Sequence, residues 1–430
     1  MDPNNSSAKQ SVHTNTETLF NNLASLPTPL SDGQCVFHKN EILICGGYRN
    51  NECYSYHTVT NRYKRICSYP SEVTLLGHTV VKRVNTSNAN DITLLSIGGQ
   101  AEYKPKHTLM MRYVSVWDDK ASAIEKDKGK PYNQWVPFTN NEDKVILIGR
   151  KQDDYRGARA IIGGSNNNLL FITYRPNNID LFDLNTFKYV SNSTLPIGNC
   201  IWYHCFVSTH KANETEDIQS KKNEHEMLLF CDKMGLLINY HEDNNQFRFC
   251  KIRVCSTLRL FSFYTYFYIN DFILFFGGHG GVDAVASNKA YRYSVAQNKW
   301  MQFEHNLPIG MYGSAGALDE GNAFVHIVGG RDDNDCILST HIKTNVKKWM
   351  NECSAKEKQW IIEEGKKEDI EREIEDIKRV KGEIAAMRYE FNLKKLPVEF
   401  VCVYHYCCCY FFALAAVKFK THTNTSFFHV

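Results

Sequence analysis

Histidine and cysteine are the residues of this chain whose chemistry suggests a metal site. His204 lies between Cys200 and Cys205, and His279 follows a glycine pair. Imidazole nitrogens and thiolates are the usual ligands of zinc, but a zinc site needs three or four of them at characteristic spacings. No group of that size with such spacing is recognisable in the sequence. We therefore expect these residues to be structural, with no metal and no cofactor.

Sites for phosphates or nucleic acids receive little support. A phosphate-binding loop opens a helix and contains a lysine, whereas the Gly-Gly pairs of this chain follow apolar runs that are typical of strands. Residues 120–130 are rich in lysine, but they also include Glu and Asp and lack interleaved aromatic residues. The net charge is only +3. We expect no nucleic-acid partner.

The 15 cysteines occur mostly singly within apolar runs. Neither the Cys-x-x-Cys spacing of zinc sites nor the dense framework of a small secreted domain is present, so buried, reduced thiols are expected. Residues 1–18 are polar and have no apolar core of a signal peptide. The predicted location is cytoplasmic. Residues 1–30 are predicted to be a disordered N-terminus with a candidate strand that closes the fold.

One pattern of residues recurs along the chain, with a period of about fifty residues. An apolar run ends in a glycine pair, a polar turn follows, and an aromatic strand with a second aromatic residue comes next. The glycine pairs are Gly46 and Gly47, Gly98 and Gly99, Gly277 and Gly278, and Gly329 and Gly330. The aromatic residues assigned to the last strand of a unit are Tyr63, Trp135, Trp300 and Trp349.

This pattern resembles the kelch repeat. The resemblance implies an all-β fold, a kelch-type β-propeller over residues 31–353 with six blades. The apolar runs agree with it, because the inner strands of a blade are buried on both faces and need not alternate. A seventh blade built from residues 145–150 is the alternative count.

Some units depart from the pattern. In the second, the third strand is predicted at residues 111–117. In the third, the apolar strand is predicted at residues 169–174, after a hairpin turn that contains Gly163 and Gly164. In the fourth, residues 227–231 take this place without a glycine pair.

Residues 354–396 have a different character, being dense in Glu, Lys and Arg. Steps of three, four and seven residues separate the apolar side chains, which predicts a helix with a narrow apolar seam. Lys381 and Arg388 occupy positions of this seam. A solvated spacer helix and a short coiled coil both remain open. The seam residues are Trp360, Ile370, Ile374, Ile377, Ile384 and Phe391.

Residues 397–430 form a hydrophobic, cysteine-rich tail. The apolar stretch at 400–417 has about 18 residues, the lower limit for crossing a bilayer, and its adjacent cysteines are candidates for palmitoylation. Three interpretations stay open: a membrane anchor, a strand of a truncated domain, and an altered reading frame.

We expect function on one face of the propeller. In a four-stranded antiparallel blade, the turn after the second strand and the link between blades emerge on the same side. A ring of mixed charge there suits a protein partner anchored by arginines, so the predicted function is a non-enzymatic interaction scaffold. A kelch-type oxidoreductase, or another enzyme built on the propeller, is the alternative. The residues predicted for this face are Arg49, Lys104, Arg175, His279, Arg331 and Asp332.

Overall fold

The computed structural model describes residues 19–85, 88–100, 106–118, 131–209, 223–281, 283–350 and 353–390. The chain forms two compact units, Met1–Ile362 and Glu363–Val430. Several predicted features lie outside the described residues: Lys104, residues 1–18, residues 120–130 and the tail at 397–430.

Within its described residues, the first unit contains six four-stranded sheets and one small three-stranded sheet. Sheet 1 consists of β2 (Gln34–His38), β3 (Glu41–Gly47), β4 (Asn50–His57) and β5 (Arg62–Ser68). Sheet 2 consists of β6 (Thr79–Asn85), β7 (Asn88–Gly98), β8 (His107–Tyr113) and β9 (Val136–Pro137). Sheet 3 consists of β10 (Asp154–Gly163), β11 (Leu169–Arg175), β12 (Asn178–Asp183) and β13 (Lys188–Thr194).

The remaining sheets follow in chain order, with one insertion. Sheet 4 consists of β14 (Cys205–Ser208), β15 (Glu224–Cys231), β16 (Met234–His241) and β17 (Gln246–Arg253). The small sheet pairs β18 (Phe261–Ser262), β21 (His279–Gly280) and β22 (Val285–Ala286). Sheet 5 consists of β19 (Thr265–Ile269), β20 (Phe272–Phe276), β23 (Ala290–Ser294) and β24 (Lys299–Gln302). Sheet 6 joins β25 (Ala315–Leu318), β26 (Phe324–Val328), β27 (His341–Asn345) and the N-terminal β1 (Asn21–Asn22).

The sheets follow one another around a ring. Strand β6 contacts both β2 and β10, β10 contacts β14, and β25 contacts both β19 and β2. Sheets 4 and 5 share an apolar cluster that includes Phe230 and Phe275. Strand β1 completes sheet 6 by pairing antiparallel with β27, so both ends of this unit contribute to one sheet. The first unit is therefore a multi-blade, β-propeller-like fold.

Burial along the strands explains the apolar runs of the sequence. All seven residues of β3 are buried, whereas β13, the last strand of sheet 3, alternates between exposed and partly buried positions. The second strand of each sheet is covered on both faces, which requires a continuous apolar run. The last strand lies at the rim, where one face meets solvent.

The hairpins at the rim repeat one set of contacts. The Tyr56 hydroxyl donates to Asn61 Oδ1 (2.9 Å), and Tyr293 donates to Asn298 Oδ1 at the same separation of five residues (2.9 Å). Both asparagines have positive φ, which this residue tolerates better than most. Each tyrosine ring then packs on the aromatic residue seven positions later. The ring centroids are 4.9 Å apart for Tyr56 with Tyr63 and also for Tyr293 with Trp300.

The glycine pairs lie where the second strand meets the link between sheets. Gly46 and Gly329 both have positive φ, and a Cβ on Gly329 would lie 2.2 Å from the Leu30 carbonyl oxygen. A Cβ on Gly277 would lie equally close to the Met311 carbonyl oxygen. These positions need glycine both for backbone conformation and for space.

The structure corrects three assignments. Trp349 does not lie on a strand but on the short helix α1 (Lys347–Met350), and β1 takes the outer place in sheet 6. The third strand of sheet 2 is β8, four residues earlier than the predicted 111–117. Residues 145–150 form no sheet of their own: Val145 bridges Thr139 within the link between sheets 2 and 3.

Helix α2 (Ala355–Glu390) follows. Its start is a capping box, in which the Ser354 hydroxyl accepts from Glu357 N (3.2 Å) and the Glu357 carboxylate accepts from Ser354 N (2.8 Å). Within the described part of the chain, no helix is both long and apolar enough to cross a membrane.

Candidate interaction face

Each four-stranded sheet has one residue with a left-handed backbone two positions before the regular pairing of its first strand begins. In sheet 3 this residue, Gly157, lies at an irregularity within β10. Glycine adopts this conformation readily, but for a bulky aromatic residue it is a genuine outlier. Strained backbone of this kind concentrates at functional sites. We call them the entrance residues: Asp32 (φ 55°), Gly77 (φ 66°), Gly157 (φ 70°), Tyr203 (φ 48°), Phe263 (φ 57°) and Gly313 (φ 62°).

The entrance residues are neighbours around the axis of the ring. Backbone hydrogen bonds join them in two sets of three, and the stacked rings of Tyr203 and Phe263 connect the two sets, so the six lie around a common centre. The surface that they form with the turns after the second strands is called the entrance face. The bonds run from Asp32 N to Gly313 O (2.8 Å), Gly313 N to Phe263 O (2.9 Å), Gly157 N to Gly77 O (2.9 Å) and Tyr203 N to Gly157 O (2.9 Å).

The side chain of Tyr203 fills the space that the glycines leave open. A Cβ on Gly77 would lie 2.7 Å from the Tyr203 hydroxyl, and a Cβ on Gly157 would lie 2.8 Å from the Tyr203 ring. The ring stacks on Phe263 with centroids 4.3 Å apart. Only 6% of Tyr203 is exposed, and this burial raises the pKa of its hydroxyl. Tyr203 therefore occupies the centre of the entrance face.

Aromatic contacts continue outward from this centre in both directions. Phe263 also meets Trp202 (5.4 Å between centroids) and Tyr312 (6.2 Å). Tyr312 in turn packs on His279 at 4.6 Å. Trp202 is 39% exposed, which is high for so large an apolar side chain. These five residues, with Phe263 in the middle, are called the aromatic strip: Trp202, Tyr203, Phe263, Tyr312 and His279.

Arg331 connects sheet 6 to the segment that precedes sheet 1. Its guanidinium lies 3.6 Å from the Asp32 carboxylate, donates to Ser31 Oγ (2.9 Å), and pairs with Asp335 (3.1 Å). It also lies 4.6 Å from the centroid of the Tyr48 ring. Burial raises the pKa of Asp32 above its usual value, although the charge of Arg331 opposes this effect. Arg331 is thus partly a structural residue.

Arg175 lies at the Trp202 end of the aromatic strip. It pairs with Asp154 (3.4 Å), and its guanidinium stands 5.1 Å from the Trp202 ring centroid. Burial alone would raise the pKa of Asp154, but hydrogen bonds and charges from Arg156 and Arg175 lower it below its usual value. Asp154 is thus ionised between Arg156 and Arg175, and the three side chains together place one net positive charge beside the exposed Trp202.

Three other residues were predicted for this face, and no hydrogen bond, ion pair or ring contact joins them to the aromatic strip within the described part of the chain. Arg49 is exposed, and its guanidinium lies 5.0 Å from the same Tyr48 ring that Arg331 contacts. The Asp332 carboxylate accepts hydrogen bonds from the backbone of Asn334 and Cys336 (2.9 Å each), so it shapes its own turn. Lys104 lies outside the described residues.

His204, Cys200 and Cys205, which were considered as metal ligands, do not form a metal site. His204 is buried and its Nε2 lies 2.7 Å from Thr173 Oγ1, while burial and the nearby charge of Arg159 hold its pKa well below the usual value. Cys205 is buried beside it, and Cys200 is exposed. Among the described residues, no group of three or more His, Cys, Asp or Glu side chains could hold a metal ion.

Sequence reasoning missed the central part of the face. Tyr203, Phe263 and Tyr312 were not selected, because aromatic residues beside strands are usual in a chain so rich in them. The position of Tyr203 and Phe263 in the repeat was a usable signal. Both lie two residues before the regular pairing of a first strand begins, where other units have Gly77 and Gly157.

Comparisons with known proteins give a limited result. No protein-family model matches the chain, and no curated protein matches it. A solved structure described as "Structure of YjhT" is similar at 11% sequence identity and a TM-score of 0.49, over 74% of this chain and 95% of that chain. A likeness at this level carries no argument about function.

Proposed function

We propose that the first unit is a six-bladed, kelch-type β-propeller that acts as a non-enzymatic scaffold and binds a protein partner through the entrance face. The six four-stranded sheets and the six entrance residues support this blade count. The glycine pairs support the kelch type, because Gly46, Gly277 and Gly329 lie at equivalent places against the links between sheets.

The aromatic strip is the observation that carries the proposal. Residues that dominate protein–protein binding are enriched in Trp, Tyr and Arg, and they lie near the centre of an interface. Trp202 with Arg175 above its ring provides such a pair at one end of the strip. Leu260 is 50% exposed and Val285 is 44% exposed around the small sheet, which adds apolar surface nearby.

Paired mutants of the full chain test the proposal. Proximity labelling in cells compares the unchanged chain with the double variant Trp202→Ala, Arg175→Gln. The control is Val59→Ala, because Val59 is 74% exposed in the β4–β5 turn at the other end of sheet 1. We expect the double variant to lose a defined set of labelled proteins that the control retains, while thermal unfolding shows that both variants remain folded. Equal labelling by all three chains would contradict a partner site on this face.

The location, the absence of a cofactor and the alternative of an enzyme remain predictions. An assay of oxidase turnover after incubation with copper or other metals addresses the enzymatic alternative directly. Membrane association through residues 400–417 concerns residues outside the described part of the chain, and sedimentation of the full chain with membranes tests it.

A further inference from the structure

From Lys366 onward, helix α2 is exposed on nearly all sides in the described residues. Ile370 is 58% exposed, Ile374 is 40% exposed and Ile377 is 52% exposed. Local ion pairs support the helix elsewhere, such as the one between Arg379 and Asp376 (3.0 Å). Exposed helices gain little from such pairs, and most helical stability in proteins comes from packing an apolar face.

Three exposed isoleucines form a single seam with one that is partly buried, Ile384. Ile370, Ile374, Ile377 and Ile384 are separated by four, three and seven residues, the spacing of alternating a and d positions in a coiled coil. Ile374 then takes an a position and the other three take d positions. This stripe is narrower than the apolar face of a helix that packs on a globular core. Its shape fits one other helix better than a broad protein surface.

Charges on the seam decide which direction a second helix would run. The other a positions between residues 363 and 385 are Lys367 and Lys381. In a parallel pair each lysine would face its own copy, which brings like charges together. In an antiparallel pair with Ile374 opposite Ile377 of the second copy, Lys381 faces Ile370 and Lys367 faces Ile384. Each lysine can then cover an isoleucine with its methylene chain while its ammonium group stays in water.

The flanking positions agree with the antiparallel register. Glu371 and Lys378 both take e positions, and in this register Glu371 of one copy lies beside Lys378 of the other, twice per pair. The sequence continues the complementarity, because the next layer joins positions 363 and 388, which are Glu and Arg. A parallel pair would instead join Glu363 to Glu363 and Arg388 to Arg388 in these layers, whereas its e positions would meet Lys366 and Glu373, so the e positions alone do not decide the direction.

We propose that α2 self-associates with the α2 helix of a second copy of this chain as an antiparallel coiled coil centred between Ile374 and Ile377. The seam sets the contact and the lysines set the direction. The proposal does not depend on what the entrance face binds.

Sedimentation velocity of the purified full chain tests self-association. The unchanged chain is expected to sediment as a concentration-dependent dimer. Ile374→Asp should weaken dimerisation at least about tenfold, because it places a carboxylate in the central layer. Glu375→Ala is the matched control, since residue 375 points away from the seam, and it should dimerise as the unchanged chain does. A monomer at all concentrations, or equal dimerisation of Ile374→Asp, overturns the proposal.

Charge reversal tests the direction of the helices without altering the seam. Glu371→Lys and Lys378→Glu should each weaken the dimer, and the double reversal should restore it, because it exchanges the two members of one intermolecular pair. In a parallel pair, Glu371 would face Lys366 and Lys378 would face Glu373, so the double reversal would be worse than either single change. Failure of the double variant to recover overturns the antiparallel register, and circular dichroism confirms that helicity is equal in all three.

Discussion

Three entrances to the sheets carry glycine and three carry a side chain, and the two kinds fit together. At Gly77 and Gly157, neighbouring atoms already occupy the place of a Cβ, and part of that space belongs to Tyr203. Tyr203 and Phe263 keep the same left-handed backbone without being glycine, and their rings stack at the centre. The glycines of sheets 2 and 3 therefore leave space that the Tyr203 ring of sheet 4 fills, and this packing offsets the backbone strain at the aromatic entrance residues.

The largest expected effect comes from adding a methyl group on the glycine side. Gly77→Ala puts a Cβ 2.2 Å from Gly157 N at a φ of +66°, so both the backbone and the neighbouring sheet must shift. We expect the free energy of unfolding to fall by about 3 kcal/mol or more in urea denaturation. Gly321→Ala, which meets no atom within 4 Å, should change it by about 0.5 kcal/mol at most. Similar losses in the two variants would show that the ring is not closely packed at Gly77.

The next effect concerns the buried histidine that follows a glycine entrance. His78 is fully buried with its Nε2 2.8 Å from Cys45 O, and burial lowers its pKa to about 4. As the pH falls below about 6.5, the unfolded chain binds a proton that the folded chain does not, so stability is present near neutral pH and is lost towards pH 4.

The slope of stability against pH measures this contribution. Between pH 6 and pH 5, His78→Gln should reduce the slope of unfolding free energy by about 1.2 kcal/mol per pH unit relative to the unchanged chain. His305→Gln is the control for the substitution itself, since His305 is exposed. An unchanged slope in His78→Gln would mean that His78 titrates normally in the folded chain.

A smaller difference in the free energy of unfolding distinguishes backbone strain from side-chain packing at Tyr203. Tyr203→Ala and Tyr203→Gly remove the same ring, but only alanine keeps the cost of a left-handed backbone. The glycine variant should therefore be the more stable of the two, by about 1 kcal/mol. At Tyr264, which lacks positive φ, the order should be reversed, with alanine the more stable. If glycine gives the more stable protein at both positions, or alanine at both, the prediction of backbone strain at Tyr203 is contradicted.

The smallest effect is expected at the exposed end of the aromatic strip. Trp202→Ala should shift the free energy of unfolding by only about 0.5 kcal/mol, because Trp202 is 39% exposed and lies outside the stacked centre. Thermal unfolding checks this value, with Phe276→Ala as the buried comparison. A loss comparable to that of Phe276→Ala would assign Trp202 to the core instead of to a surface available for a partner.

Most of the sheet architecture could be predicted from the sequence, because it depends on local patterns. Continuous apolar runs marked the buried strands β3 and β20. The hairpin turn predicted before β11 is present, but only Gly164 lies in it, because Gly163 is the last residue of β10 and pairs with Leu169. The assignment of Trp349 was wrong, because α1 buries that ring without using a strand.

The centre of the entrance face could not be predicted in the same way. The left-handed backbone at Tyr203 and Phe263 contradicts their local preferences and is maintained by contacts with other sheets. Arg331 was selected as a binding residue from its place after a glycine pair, but its buried contact with Asp32 comes from a segment about three hundred residues away in sequence. The partner-binding role of the predicted residues stays a prediction.

The pairing of β1 with β27 has a consequence for how the protein is made. Thr344 Oγ1 donates to Leu19 O (2.8 Å) across 325 positions of sequence, so the N-terminal strand finds its place only after residues near 344 have left the ribosome. Contacts of such long range form late and slowly, whereas sheets 1 to 5 can each assemble as soon as they emerge. We expect the growing chain to form an open ring in which one apolar face of sheet 1 is still uncovered, and the packing of sheet 6 against that face to be the last step of folding.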